Sequence, residues 1–264
     1  MRPTSERPGT LPSRGVMAKV PQITALFWLI KVLTTGMGEA ASDYLGTLNL
    51  VIAGLIGVGG FVVALWWQLR TRRYTAQVYW FAVAMVAVFG TMAADGVHVG
   101  LGIPYAASTA LYAVALAVVF LWWHRTEGTL SIHSITTRRR EIFYWVTVLL
   151  TFALGTAAGD LTASEMNLGF FSSTVLFAVL MVLPLLGLVL RVNPIATFWT
   201  AYVLTRPLGA SIADWLGKPH DIGGGVGFGD GTVTAVALVA IIALVASVTL
   251  TGADTQPEPS AAMS

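Results

Sequence analysis

No cysteine occurs among the 264 residues, which excludes disulfides, thiolate metal sites and iron–sulfur clusters. Charge is scarce as well: 11% of the residues are Asp, Glu, Lys or Arg, against about 25% in an ordinary soluble domain, and 56% are hydrophobic. A chain so dilute in charge reads as an integral membrane protein. Its four histidines, His98, His124, His133 and His220, avoid the middle of the apolar runs, so the facing ligands that a haem needs inside a bundle are missing. No G-x-x-x-x-G-K-[ST] order occurs, and the glycine-rich stretch 218–231 reads as a flexible external or re-entrant loop. The first twenty residues are polar, rich in Pro and Arg, and lack the small-residue cleavage site of a signal peptide. Residues 1–20 and 252–264 are expected to be disordered cytoplasmic ends, with Met17 open as the true start. No cofactor is expected.

What the chain has in plenty is apolar runs. Eight of them, at 21–43, 48–68, 76–97, 103–123, 142–161, 170–190, 194–216 and 232–251, approach the roughly 20 residues that a spanning helix needs. The alternating pattern of barrel strands is absent. Arg2, Arg7, Arg14 and Lys19 precede the first run, and Arg70, Arg72 and Arg73 follow the second. Arg125, Arg138, Arg139 and Arg140 separate the fourth from the fifth, Arg191 separates the sixth from the seventh, and Lys218 alone falls on the opposite side. The positive-inside rule then puts both termini in the cytoplasm. The expected fold is all-α and polytopic, eight transmembrane helices in one domain, 21–251, crossing the membrane many times. The basic residues are dispersed over loops, so the pI of 9.0 argues for topology and against a nucleic-acid partner. Asp43, Asp95, Asp160, Glu165, Asp214, Asp221 and Asp230 gather at the non-cytoplasmic face, which would attract cations.

The runs repeat. Phe27-Trp28 leads to Asp43, Tyr79-Trp80 to Asp95, Tyr144-Trp145 to Asp160 and Phe198-Trp199 to Asp214, and each Trp precedes its Asp by fifteen residues. A glycine stands five before each Asp (Gly38, Gly90, Gly155, Gly209) and a small residue one before it (Ser42, Ala94, Gly159, Ala213), a spacing that suits close helix packing. The aromatic pairs, with Trp66, Trp67, Trp122 and Trp123, read as an interfacial belt. The unit is a two-helix hairpin in four copies, 21–70, 74–125, 141–191 and 194–251. Two crossings per unit make the repeats parallel, arranged either about a pseudo-fourfold axis or as two four-helix halves. Pro207 and Pro184 are expected to kink their spans.

Lys31, Thr35, Glu39 and Asp43 lie four apart, so a helix stacks them on one face. The same register gives Val83, Ala87, Thr91 and Asp95 in the second unit, Val148, Phe152, Thr156 and Asp160 in the third, and Tyr202, Arg206, Ala210 and Asp214 in the fourth. Only the first and fourth carry charge deep in a span, so their helices are expected to meet, Arg206 beside Glu39. Glu39 and Asp43, with Thr34 and Thr35 below, offer the oxygen ligands that suit a hard divalent cation, or protons. The repeat aspartates close their helices, where the structural role open to them, Asp95 and Asp160 above all, is to cap the next helix.

Taken together, the T-T-G-M-G-E-A-x-S-D stretch, the F-W…G-x-x-x-A-D repeats and the D-W-L-G-K-P…G-G-G-V-G-F-G loop resemble a bacterial family of uncharacterised membrane-anchored proteins defined by a hydrophobic repeat, usually in four copies. The resemblance spans about residues 20 to 251, and Lys31, Thr34, Thr35, Gly38, Glu39 and Asp43 match together. It implies a fold and assigns no chemistry.

From the residues, then, the leading reading is a multi-pass transporter or channel for a cation, a divalent metal or one coupled to protons, with the bilayer as its surroundings. The binding set is Lys31, Thr34, Thr35, Glu39, Asp43, Asp95, Asp160, Arg206 and Asp214, with Glu39 and Asp43 as metal ligands. Two rivals stay open: an intramembrane enzyme working through paired aspartates, and a non-catalytic membrane partner whose charges lock helices. Whether the chain forms a homo-oligomer is also open.

Overall fold

Four of the helices start where a short polar side chain takes up free backbone donors. Thr24 accepts from the Phe27 N–H at 3.2 Å and opens α1 (Ala25–Leu48). Asn49 opens α2 (Leu50–Arg70), its side chain accepting from Val51 and Ile52. There follow α3 (Ala76–Asp95), α4 (Tyr105–Glu127), α5 (Arg138–Asp160), α6 (Gly169–Leu180), α7 (Val182–Val189), α8 (Pro194–Gly217) and α9 (Asp230–Thr251). The computed structural model describes residues 18–256, and no strand occurs among them. Six segments are long and apolar enough to cross a membrane: α2, α3 with its extension to His98, α4, α5 with its extension to Glu165, α6–α7 together, and α9.

The helices that open the repeats, α1, α3, α5 and α8, form a closed ring: α1 packs on α3, α3 on α5, α5 on α8, and α8 on α1. The second helix of each repeat leans on the first helix of the next, α2 on α3, α4 on α5, α6 on α8, and α9 returns to α1. Of the two arrangements open from sequence, the repeats therefore close around one axis. The outer helices turn Leu55, Val62, Val114, Val118, Val239 and Ile242 outward, the surface a lipid phase accepts.

The repeated glycine sets the spacing of the ring. A Cβ at Gly38 would lie 2.9 Å from the Ala87 carbonyl carbon, one at Gly90 2.6 Å from Phe152 Cβ, one at Gly155 2.6 Å from Arg206 Cβ, and one at Gly209 2.8 Å from Thr35 Cβ. Each glycine thus meets the same register position of the next helix round, and no side chain fits there.

Several expectations change. α1 continues five residues past Asp43 to Leu48, and α3 and α5 run past Asp95 and Asp160 as π-helical turns, Gly96–Gly100 and Leu161–Glu165, so these aspartates do not end their helices. Trp80, Trp145 and Trp199 are buried because ring helices face protein on both sides, and Trp123 of α4 is buried against Phe143 of α5 and Trp199 of α8; Trp66, Trp67 and Trp122 stay exposed. The sixth run breaks at Met181 because Pro184 lacks the N–H that would reach the Leu180 carbonyl, whereas α8 runs unbroken through Pro207. The glycine-rich loop folds back along the end of α8, with Val226, Phe228 and Gly229 donating to the carbonyls of Trp215, Leu216 and Gly217 at 2.6, 2.9 and 3.0 Å. Disorder at the ends and the choice between Met1 and Met17 lie largely outside the described residues. Within them, Gln22 N–H donates to the Asp254 carbonyl at 2.8 Å and Lys19 pairs with Glu141 at 2.6 Å, so both ends of the described chain sit together at the face rich in arginine.

Replacing Gly90 by Val is expected to force α3 from α5 at about 1–3 kcal/mol. Thermal unfolding in detergent should show a clear fall for this variant and none for Gly54→Ala, whose Cβ meets nothing within 4 Å.

Candidate functional site

Because all four ring helices share one register, equivalent residues form layers along the axis. From the arginine-rich end these are Phe27/Tyr79/Tyr144/Phe198, then Lys31/Val83/Val148/Tyr202, Thr35/Ala87/Phe152/Arg206, Glu39/Thr91/Thr156/Ala210, and last Asp43/Asp95/Asp160/Asp214. The middle layers are fully buried.

Arg206 holds the centre. Its Nη2 donates to Glu39 Oε2 at 2.7 Å, to Thr156 Oγ1 at 2.6 Å and to Thr91 Oγ1, while Nη1 donates to the Thr35 carbonyl at 2.8 Å. Thr156 and Thr91 in turn donate to Glu39 Oε2 at 3.0 and 3.3 Å. Nε also reaches the Phe152 carbonyl at 3.4 Å, so one guanidinium on α8 engages the other three ring helices, α1, α3 and α5. Thr34 is different: its hydroxyl donates to the carbonyls of its own helix, Ile30 and Lys31, both at 2.9 Å, which leaves it out of the cluster. Thr35 contributes its carbonyl, with its hydroxyl donating to Val32 at 2.6 Å. Lys31 lies one layer away, its Nζ 4.4 Å from the ring centres of both Phe152 and Tyr202 and without a hydrogen-bond partner.

Beyond Arg206 the axis turns acidic. Carboxylate oxygens of Glu39, Asp43 and Asp214 all lie within 4.8 Å of one another, a spacing that could hold one metal ion. Asp43 is also paired with Lys218 at 2.5 Å, and Lys218 reaches Asp230 at 3.2 Å. Burial opposes the Lys218 charge, but the carboxylates of Asp43, Asp214 and Asp230 outweigh it and hold its pKa above the ordinary lysine value. Asp95 and Asp160 occupy the equivalent layer positions and cap nothing, so the capping role considered for them is not taken up. His98 and His220 serve turns, bonding the carbonyls of Ile103 at 2.6 Å and Gly225 at 3.4 Å, and His124 and His133 are exposed.

Sequence reasoning passed over Thr91, Thr156 and Lys218. The two threonines share the Glu39 register and were visible there, but a search for charge gave them no weight. Lys218 is set by a loop whose return path has no periodic signal. Two sizeable cavities lie elsewhere, one of about 730 Å³ between the start of α1, α7, α8 and residues 130–133, and one of about 490 Å³ between α1, α8 and α9. Both are lined mainly by apolar side chains.

Apolar helices of membrane-crossing length, duplicated four times about an axis, define a multi-pass membrane protein built from an internal repeat. The chain belongs to the family of the repeat of unknown function DUF347, whose model matches it at residues 26–74, 78–129, 143–192 and 197–254. No curated protein and no solved structure matches it.

Removing only one partner of a buried ion pair strands the other, at about 3–5 kcal/mol, whereas apolar replacement of both can be nearly neutral. Arg206→Met should therefore unfold at markedly lower temperature than the parent, and Arg206→Met combined with Glu39→Leu should recover most of the loss.

Proposed function

We propose that the chain is a cation transporter of a bacterial inner membrane, with eight spans and both termini cytoplasmic, whose cation binds among Glu39, Asp43 and Asp214. In this reading α1 and α8, 24 residues each, also cross the bilayer, their charges turned into the ring and away from lipid. The arginine-rich face carrying both ends of the described residues is cytoplasmic by the positive-inside rule, and the aspartate layer opens to the other side.

The observation that carries the reading is the convergence of those three carboxylates, within 4.8 Å, at the acidic end of the closed ring. Three like charges so close repel strongly in a medium of low dielectric, and Arg206 and Lys218 are the tethered cations that offset them. A divalent ion that prefers hard oxygen ligands, Mg²⁺, Mn²⁺ or Ca²⁺, does the same work once it displaces them. The Arg206 layer then acts as the plug: held on Glu39 it closes the axis toward the cytoplasm, and released from Glu39 it frees the one buried contact common to all four repeats. Asp95 and Asp160 keep the mouth negative and so concentrate cations there.

Purified protein in liposomes should take up Mn²⁺, and Glu39→Gln, Asp43→Asn and Asp214→Asn should each lower uptake at least tenfold. Uptake that these three substitutions leave unchanged, with the protein correctly inserted, rules the reading out. Lys218→Met removes a tethered competitor and should tighten Mn²⁺ binding by a fewfold at low salt.

A further inference from the structure

On the cytoplasmic side of Arg206 the ring holds a second set of polar groups that cation binding leaves unused. Lys31 is fully buried, and its Nζ makes no hydrogen bond. The groups that face it are Phe152 from α5, Tyr202 and Arg206 from α8, and the layer valines Val83 and Val148; on its own helix Glu39 is already taken by Arg206. An ammonium with no anion beside it is costly to bury. Unlike a guanidinium, an amine can give up its proton and take it back.

Phenols and orphan donors lie between Lys31 and the cytoplasmic face. The Tyr202 hydroxyl is buried without a partner, as are Thr147 Oγ1 and the Nε1 atoms of Trp80 and Trp145. Tyr79 and Tyr144, both buried, share a hydrogen bond between their hydroxyls. The Tyr79 ring meets that of Tyr74 at 5.6 Å, and the Tyr74 hydroxyl donates to the Asp254 carboxylate. Burial raises the pKa of Asp254 from its ordinary value, against the lowering effect of the Tyr74 hydrogen bond. A buried polar atom left alone is costly, and water is the ordinary partner of such groups.

We propose that Lys31 is a proton-exchange site, joined to the cytoplasmic face by Tyr202, Tyr144, Tyr79, Tyr74 and Asp254 with water bridging the gaps, and that it couples protons to the cation. The inference rests on the cation reading above. When a cation frees Arg206 from Glu39, the guanidinium becomes an unneutralised charge beside Lys31. An N–H bond of the ammonium then breaks, and its electron pair stays on the amine nitrogen. The proton passes to water or a phenol oxygen, which hands its own O–H proton onward until one reaches Asp254. Reversal reloads Lys31, so cation and proton movements are tied.

Liposomes carrying a trapped pH dye and challenged with Mn²⁺ alone test this. The parent should move protons in step with Mn²⁺. Lys31→Arg, charged but unable to release its proton, should abolish that proton movement. Tyr202→Phe keeps the ring over Lys31, removes only the hydroxyl, and should slow proton movement at least tenfold while Mn²⁺ binding is retained. Parent-level proton movement in both variants overturns the proposal. Mn²⁺ uptake by the parent without proton movement overturns the proposal alone and leaves the cation reading standing; a parent that neither binds nor moves Mn²⁺ removes both.

Discussion

A single guanidinium ties the fold together. Arg206 reaches Glu39 and the Thr35 carbonyl on α1, Thr91 on α3, and Thr156 and the Phe152 carbonyl on α5, so each ring helix has a stake in one buried charge. Between apolar helices in lipid there is no hydrophobic drive to associate, which leaves packing and polar contacts to hold them. The glycine at the shared register supplies the first, by admitting the neighbouring helix to backbone distance, and Arg206 supplies the second.

Fourfold duplication accounts for the layers, and divergence accounts for their chemistry. At the Arg206 level the other copies carry Thr35, Ala87 and Phe152, and at the Glu39 level they carry Thr91, Thr156 and Ala210. A ring with four arginines, or four glutamates, at one level would place like charges a few ångströms apart in a medium that screens them poorly. One of each, with two hydroxyls that accept from the cation and donate to the anion, leaves neither Arg206 nor Glu39 uncompensated. The aspartate layer did not diverge, and one of its carboxylates, Asp43, is paired with Lys218 from the loop that follows α8.

Much of this could be read before any coordinates. The Trp-to-Asp spacing revealed the repeat, and the four-residue spacing put Lys31, Thr35, Glu39 and Asp43 on one face, because helical periodicity is a local property of the chain. Which helices touch is not local. The ring closure from α8 back to α1, and the pairing of each outer helix with the following repeat, depend on shape complementarity at glycines whose partners lie some fifty residues or more away. Thr91 and Thr156 were overlooked for a related reason: an uncharged hydroxyl draws attention only once a charge is seen to face it. The reading of the aromatic pairs as a lipid-interface belt failed because composition cannot tell an interior aromatic cluster from an exposed one.

In the proposed function a cation and Arg206 compete for Glu39. Anomalous scattering from the protein saturated with Mn²⁺ tests that most directly. A peak bounded by the carboxylates of Glu39, Asp43 and Asp214, with the Arg206 guanidinium moved off Glu39, is the predicted result. No peak there at saturating Mn²⁺, with the Arg206–Glu39 pair intact, would contradict it.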